Sequence, residues 1–374
     1  MPVVLSGTNG VTFPDSSLQA AAASPYVLKN RIINGDMRID QRRAGASVTI
    51  TDISGFTYTL DRWHAYGSVA SKFSVQQNAA SVTPPTGFTN YFGATSLAAT
   101  TVAATDQYAV GQFIEGFNIA DLAWGTVNAQ SVTLSFWVYS SLTGSFGGVL
   151  RNSADNYSYP FTYTISSANT WTKISITIAG ATSGTWVTNN GIGVKLFFGL
   201  GVGSTFLGTA GSWSANAYTS STGATNVVST NGATFYITGV QLEVGSSATP
   251  FERRLYNQEL ANCQRYYYKL QSNSADSFFG SAFNVSTTLA IGITFFPVTL
   301  RTAPSALEQS GTAGDYRVRA SAGNTNCSAV PTWDGSSVNN GTTIFTVASG
   351  LTSGQGVALR AVNSSAYLAW SAEL

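Results

Sequence analysis

Residues 235–270 read FYITGVQLEVGSSATPFERRLYNQELANCQRYYYKL. From Phe235 to Val244 apolar and polar side chains alternate, rich in β-branched and aromatic types, as in a half-buried strand. Gly245-Ser-Ser-Ala-Thr-Pro250 then supplies turn chemistry. Beyond Glu252 the period changes. Tyr256, Leu260, Cys263, Tyr267 and Leu270 follow at steps of four, three, four and three, a helical seam. The spacing predicts a strand that closes one β domain, then a helical connector over 253–271 leading to another.

The 374 residues are enough for two cores. Apolar residues make up 44% of the chain, but charged ones only 9%, against ~25% in an ordinary globular protein. Gly, Ser, Thr, Asn and Ala supply the missing polarity, which suits a β-rich shell on an extracellular particle. The net charge of +1 leaves no electrostatic footprint for nucleic acid or an anionic membrane. Sixteen of the 35 charged residues fall in 28–62 and 252–269. These two clusters either pair in space or form two separately solvated faces. Two cysteines, Cys263 and Cys327, make no disulfide framework. No run of apolar residues is long enough to span a membrane, and the start MPVVLSGTNG is not a secretory signal. The expected route is synthesis in a cytoplasm, with any passage outside made as part of a larger assembly.

Along the chain, 1–28 reads as short strands around Val4 and Val11 with helical turns over 16–23, a segment that must dock onto something. A β pattern begins near Leu28, with Asn34-Gly35 as its first turn signal. Strands are expected at 47–50, 58–60, 63–66, 72–76, 96–100, 107–115, 132–139, 147–151, 159–165, 172–178, 194–199 and 234–244. Short strands, scarce helix and wide Gly/Ser/Thr loops predict an all-β fold: a jelly-roll β-sandwich over 29–252. After the connector, strand chemistry resumes near 277–279, 286–295, 297–300, 316–320, 343–347, 357–362 and 367–371. This predicts a second, smaller β-sandwich over 272–374.

Several motifs resemble one family. Asn30-Arg-Ile-Ile-Asn-Gly-Asp-Met-Arg-Ile-Asp-Gln-Arg42, with Tyr58-Thr-Leu-Asp-Arg-Trp63, is similar to the opening of a jelly-roll domain in bacteriophage and prophage tail fibres. Ile237-Thr-Gly-Val-Gln-Leu-Glu-Val-Gly-Ser246 with Thr249-Pro-Phe-Glu252 resembles its closing strand, and 255–268 the connector after it. Phe296-Pro-Val-Thr-Leu-Arg-Thr-Ala-Pro304 resembles a motif of the C-terminal domain, and Gly7-Thr-Asn-Gly-Val-Thr-Phe-Pro-Asp15 a tail-protein segment. Between Ser68 and Thr234 the likeness rests on strand rhythm alone. The resemblance implies a homotrimeric receptor-binding tail protein of the virion, held to a tail or baseplate protein by 1–28. Its tip would be 272–374. The seam Tyr256, Leu260, Cys263, Tyr267 and Leu270 would be the trimer neck, or else a helix capping the sandwich. The sandwich is also similar to carbohydrate-binding modules, which commonly hold a structural calcium. By that analogy Asp36 and Glu243 are candidate ligands, offering the oxygen donors calcium prefers; the plain alternative is two salt-bridged carboxylates.

Catalytic chemistry has little to draw on. The one histidine, His64, follows Trp63 in a strand, the usual setting of a packed side chain. No His/Cys cluster has zinc spacing. Gly199-Leu-Gly-Val-Gly203 lacks the Lys-Ser/Thr of a phosphate loop. Glycan cleavage would need two carboxylates ~5–10 Å apart, and Glu115, Asp121 and Asp155 are sparse and in no motif. Binding fits better, since sugars stack on aromatic faces and bond to hydroxyls and amides. Trp213, Tyr218 and Trp333, with Asn324 and Asn326, are the candidates in loop-like surroundings, and turn packing is the plain alternative for each. The expectation is a non-enzymatic adhesin that binds host surface glycan, without nucleic acid, membrane insertion or a required cofactor. Its rivals are a purely structural virion protein and a polysaccharide depolymerase.

Overall fold

A computed structural model describes residues 4–6, 10–12, 18–19 and 29–374. Near the N-terminus, β1 (Val4–Ser6), β2 (Gly10–Thr12) and β3 (Leu18–Gln19) form a small antiparallel sheet. Leu18 and Gln19 are thus in a strand, not the helical turns expected over 16–23, and the rest of that stretch lies outside the described residues.

The sandwich strands are β4 (Val48–Thr49), β5 (Thr57–Leu60), β6 (Trp63–Gly67), β7 (Phe73–Gln77), β8 (Phe92–Ser96), β9 (Gln107–Glu115), β10 (Val132–Ser140), β11 (Gly144–Asn152), β12 (Ser158–Ile165), β13 (Thr172–Ile178), β14 (Ile192–Val202) and β17 (Thr234–Val244), with the two-residue β15 (Leu207–Gly208) and β16 (Ser220–Ser221) in a loop. One six-stranded sheet runs β13-β10-β17-β8-β7-β4 and the other β12-β11-β14-β9-β6-β5, a two-sheet jelly-roll sandwich. The alternation of each strand sends one row inward. Leu134, Phe136 and Val138 of β10 meet Leu196 and Phe198 of β14 in a single core with Trp63, Phe73 and Phe92.

In β17 the inward row changes parity, from Phe235 and Ile237 to Val240 and Leu242. The cause is a bulge against β10, where the register shifts between Ser135 and Trp137. Gly239 takes φ +61° there, and a Cβ on it would sit 2.6 Å from the Phe88 ring. Beyond the bulge, residues 30–35 run alongside β17 without forming a strand. Arg31 N donates to Leu242 O at 2.9 Å and Val240 N to Gly35 O at 2.9 Å. The β pattern expected from Leu28 is therefore an irregular strap. Asn34 takes φ +58° and bonds Ile39 through both its amide atoms, which is why the Asn-Gly turn sits there.

Among the described residues the single α-helix, α1, spans Tyr256–Gln264 and stops well short of 271. Tyr267 and Leu270 belong instead to β18 (Tyr267–Gln271), which pairs with β27 (Tyr367–Ser371). A nine-residue polar helix gains little by itself, whereas the Tyr-Tyr-Tyr run suits a pleated surface and has a partner strand waiting. The second domain adds β19 (Phe278–Asn284), β20 (Leu289–Phe295), β21 (Glu308–Gln309), β22 (Tyr316–Ala320), β23 (Gly323–Asn326), β24 (Thr332–Ser336), β25 (Asn340–Thr346) and β26 (Gly356–Ala361). Its sheets are β18-β27-β21 and β23-β22-β26-β19-β20-β25-β24, with Phe279, Tyr316, Phe345, Leu368 and Trp370 between them. Residues 297–300 are not a strand, and of 96–100 only Ser96 is in a strand, as the end of β8, with a bend after it.

The two charge clusters meet through side chain to backbone bonds, and among the described residues no ion pair joins one cluster to the other. Arg254 bonds Glu252 at 3.0 Å and Glu259 at 3.1 Å, while Glu252 accepts the backbone N–H groups of Lys29 and Asn30. Across the domain junction, Glu115 takes two bonds from Arg265 at 2.9 and 2.6 Å and one from the Tyr266 hydroxyl. Glu373 reaches back to Arg62 and Arg42, whose guanidiniums lie over the rings of Tyr266 and Tyr267. Among the described residues no helix is long and apolar enough to cross a membrane.

Candidate functional site

The outward rows of the second sandwich sheet carry an unusual set of side chains. The strand period turns His64 and Tyr66 of β6, Ala109 and Phe113 of β9, Val149 and Arg151 of β11, and Lys195 and Phe197 of β14 away from the main core. Ala109, Phe113, Val149 and Phe197 form their own apolar cluster, on which Phe56 packs from the loop before β5. The Phe56 ring lies 4.8 Å from Phe113, 5.8 Å from Phe197 and 5.4 Å from Tyr66. Between that loop and the segment at 206–219 a cleft of about 300 Å³ opens, at the small end of ligand sites. Phe56, Tyr66, Phe197 and Phe206 give it aromatic walls; Gln107, Arg151, Asp155 and Thr219 give it polar groups.

The electrostatics centre on Arg151 and Lys195. They stand directly opposite each other on β11 and β14, and like charges so placed repel. Asp155, at the tip of the β11–β12 hairpin, answers both. Its carboxylate lies 2.8 Å from Arg151 Nε and 2.7 and 2.8 Å from Lys195 Nζ. Burial lowers the pKa of both cations, and Asp155 opposes the shift. The Arg151 guanidinium sits 5.0 Å over the Phe197 ring. Beneath the cleft, His64 is fully buried among Phe56, Tyr58, Phe113 and Phe197, and neither ring nitrogen has a partner. Burial first, and then Arg62 and Lys195, hold its pKa well below the ordinary imidazole value, so it is neutral.

The residues singled out in the sequence fall elsewhere. Trp213 is packed into a cluster with Trp124, Trp186, Tyr157 and Tyr159, its Nε1 donating to Ala179 O at 2.7 Å. Tyr218 lies over Gly208, beside the cleft wall to which its neighbours Ala217 and Thr219 contribute. Trp333 is exposed on edge strand β24, and Asn324 and Asn326 on β23 at the opposite edge of the same sheet. The fold therefore does not gather them into one site.

The seam residues follow the capping alternative within the one chain described. Cys263 is enclosed with Ile33, Ile39 and Tyr266, and Leu260 packs on that cluster. Tyr267 is buried under Arg42, and Leu270 packs on the second core. Tyr256 alone is exposed. The seam thus joins parts of one chain and presents no continuous stripe outward.

Asp36 and Glu243 are both engaged within the chain. Arg38 Nε lies 3.0 Å from Asp36, and burial raises the Asp36 pKa against the opposing pull of Arg38. Glu243 accepts from Gln241 at 2.7 Å and from the Thr249 amide and hydroxyl at 2.8 and 2.6 Å, with Lys29 at 3.9 Å. Among the described residues no group of three or more His, Cys, Asp or Glu side chains converges.

Nor do the three carboxylates weighed for glycan cleavage pair with one another. Glu115 is tied to Arg265, Asp121 to Arg31 at 2.6 Å, and Asp155 to Arg151 and Lys195. The cleft residues Phe56, Tyr66, Arg151 and Phe197 escaped the sequence reading. One signal was present: Arg151 and Lys195 are isolated charges inside strongly apolar strands.

The chain is thus a jelly-roll β-sandwich joined to a second, smaller β domain. No family model and no curated protein matches it. Similar solved structures include the enzymatically active domain of tailspike protein 4 of bacteriophage CBA120, at 12% identity and TM-score 0.32 over 58% of this chain and 21% of that one. The module TmCBM61, solved with β-1,4-galactotriose, matches at 10% identity and TM-score 0.29 over 58% of this chain and 100% of its own. A family 11 carbohydrate-binding module from a Clostridium thermocellum cellulase matches at 12% and 0.27, over 55% of this chain and 99% of its own. Likeness at this level transfers no binding property, and the fold rests on the strands themselves.

Proposed function

We propose that this chain is a receptor-binding tail fibre protein that attaches a phage virion to host surface glycans, with the sugar held in the cleft on the second sandwich sheet. The observation that carries the glycan part is the lining of that cleft. Phe56, Tyr66, Phe197 and Phe206 offer ring faces to C–H surfaces, and Gln107, Thr219, Arg151 and Asp155 offer hydrogen-bonding groups to hydroxyls. The lining favours binding over cleavage, because its one carboxylate is already held by two cations. The virion role, attachment through 1–28 and trimeric state rest on the motif resemblance, and trimeric valency would multiply weak sugar contacts.

The test is binding of the purified protein to intact cells of candidate host strains, with Phe56→Ala and Tyr66→Ala alongside. Strain-specific binding that drops roughly tenfold in each variant is the expected result. Full binding by both variants would remove the cleft from the reading. Failure of the unaltered protein on every strain would favour the purely structural virion role.

A further inference from the structure

We infer that the cleft selects an acidic sugar, whose oxyanion binds Arg151 and Lys195 in place of the Asp155 carboxylate. The inference rests on the glycan reading above and adds a substrate class to it. Its basis is an excess of positive charge built into the sheet. Arg151 and Lys195 are cross-strand partners on one face, each less than a tenth exposed, and the single Asp155 carboxylate leaves the pair with one uncompensated positive charge. Among the described residues Asp155 is the only carboxylate that lines the cleft.

Donors are in surplus as well. An ammonium has three N–H groups and a guanidinium five. Lys195 spends its contacts on the two Asp155 oxygens, and Arg151 meets Asp155 through Nε. Arg151 Nη1 has only three long contacts at 3.4 Å, to Ala217 O, Tyr218 O and Thr219 Oγ1. Among the described residues Nη2 makes no hydrogen bond, although the guanidinium lines the cleft. A guanidinium with Nη2 unpartnered and Nε released by Asp155 would offer one edge beside an aromatic wall to a carboxylate or phosphate attached to a sugar ring.

Asp155 is placed to yield. Its side chain is 43% exposed, and it stands at the hairpin tip with φ +55°, a conformation Asn and Asp tolerate. The Asn152 carbonyl oxygen of the side chain holds that tip by accepting the backbone N–H groups of Asn156 and Tyr157 at 3.1 Å. The tip therefore does not depend on the Asp155 carboxylate for its shape, so a ligand oxyanion can displace it without unfolding the turn.

The experiment is an array carrying neutral glycans beside glycans that bear uronate, sialate or phosphate groups, probed with the full chain. Binding confined to the acidic set and weakened by added salt is expected, and the carboxylate and phosphate arms tell which oxyanion is preferred. Asp155→Asn removes the internal competitor and should strengthen that binding. Lys195→Gln should weaken it roughly tenfold, the size of one charge-assisted hydrogen bond. Equal binding of neutral glycans, or weaker binding by Asp155→Asn with the melting temperature unchanged, would overturn the acidic-sugar inference and leave the glycan reading intact. Silence across the whole array would overturn both.

Discussion

His64 is a polar ring held in an aromatic box with both nitrogens unpartnered. Its pKa is depressed by burial, so below about pH 6.5 the unfolded chain takes up a proton that the folded chain refuses. Stability from this group is therefore full above that pH and falls as the pH drops below it. His64→Phe keeps the packing and removes two unsatisfied atoms. Urea denaturation should show it more stable by about 1–2 kcal/mol near neutral pH, with a shallower loss toward pH 5. Gly35 gives the opposite case. A Cβ there would lie 2.2 Å from Val240 O, which is itself fixed in β17 and accepts from Asn30 Nδ2. Gly35→Ala should cost at least about 1–3 kcal/mol in the same measurement.

At the scale of elements, α1, β18 and β27 act as a hinge plate between the domains. Buried guanidiniums hold it, stacked on tyrosine rings and closed by Glu373 and Glu115. Glu373→Gln would leave Arg62, which is 1% exposed, without its counter-charge. The expected loss is about 3–5 kcal/mol, read by urea unfolding; an unchanged midpoint would mean that the junction draws little from this pair. Cys263 and Cys327 are both buried, and burial raises their thiol pKa values, that of Cys327 to about 12. Neither should react with a thiol reagent in the native protein, and both should react after unfolding.

For the whole molecule, the trimer is to be tested by light scattering on the intact chain. Removing 272–374 is a poor probe of the tip, because it also strips Glu373 from Arg62 and β27 from β18. Point substitutions are cleaner. Cys263→Ala should lower the melting temperature without changing the mass, since its contacts lie within one chain; a lower mass in that variant would restore the neck to the trimer. Much of the β architecture was legible in the sequence. Alternation marked β9, β13, β17, β22 and β27 to the residue, because burial of one face imposes a two-residue period whatever the partner strand. The Asn-Gly turn was visible for a similar local reason, whereas the charge clusters left two alternatives open. Helix length was not, because Tyr267–Gln271 is captured by a strand about a hundred residues away, and no local pattern encodes that pairing. The cleft was hidden for the same cause. Phe56, Tyr66, Arg151, Asp155 and Phe197 lie on three strands, a loop and a turn tip, brought together only by the order β11-β14-β9-β6. The motifs of 30–42, 58–63, 237–252 and 296–304, by contrast, fold at and beside the domain junction, where Asn34, Arg62, Trp63, Glu252 and Arg301 bond across the chain. Local chemistry along the chain determined which segments are strands and which residues must be satisfied; long-range strand pairing decided what those residues face, since a side chain's surroundings depend on neighbours that the sequence does not place beside it.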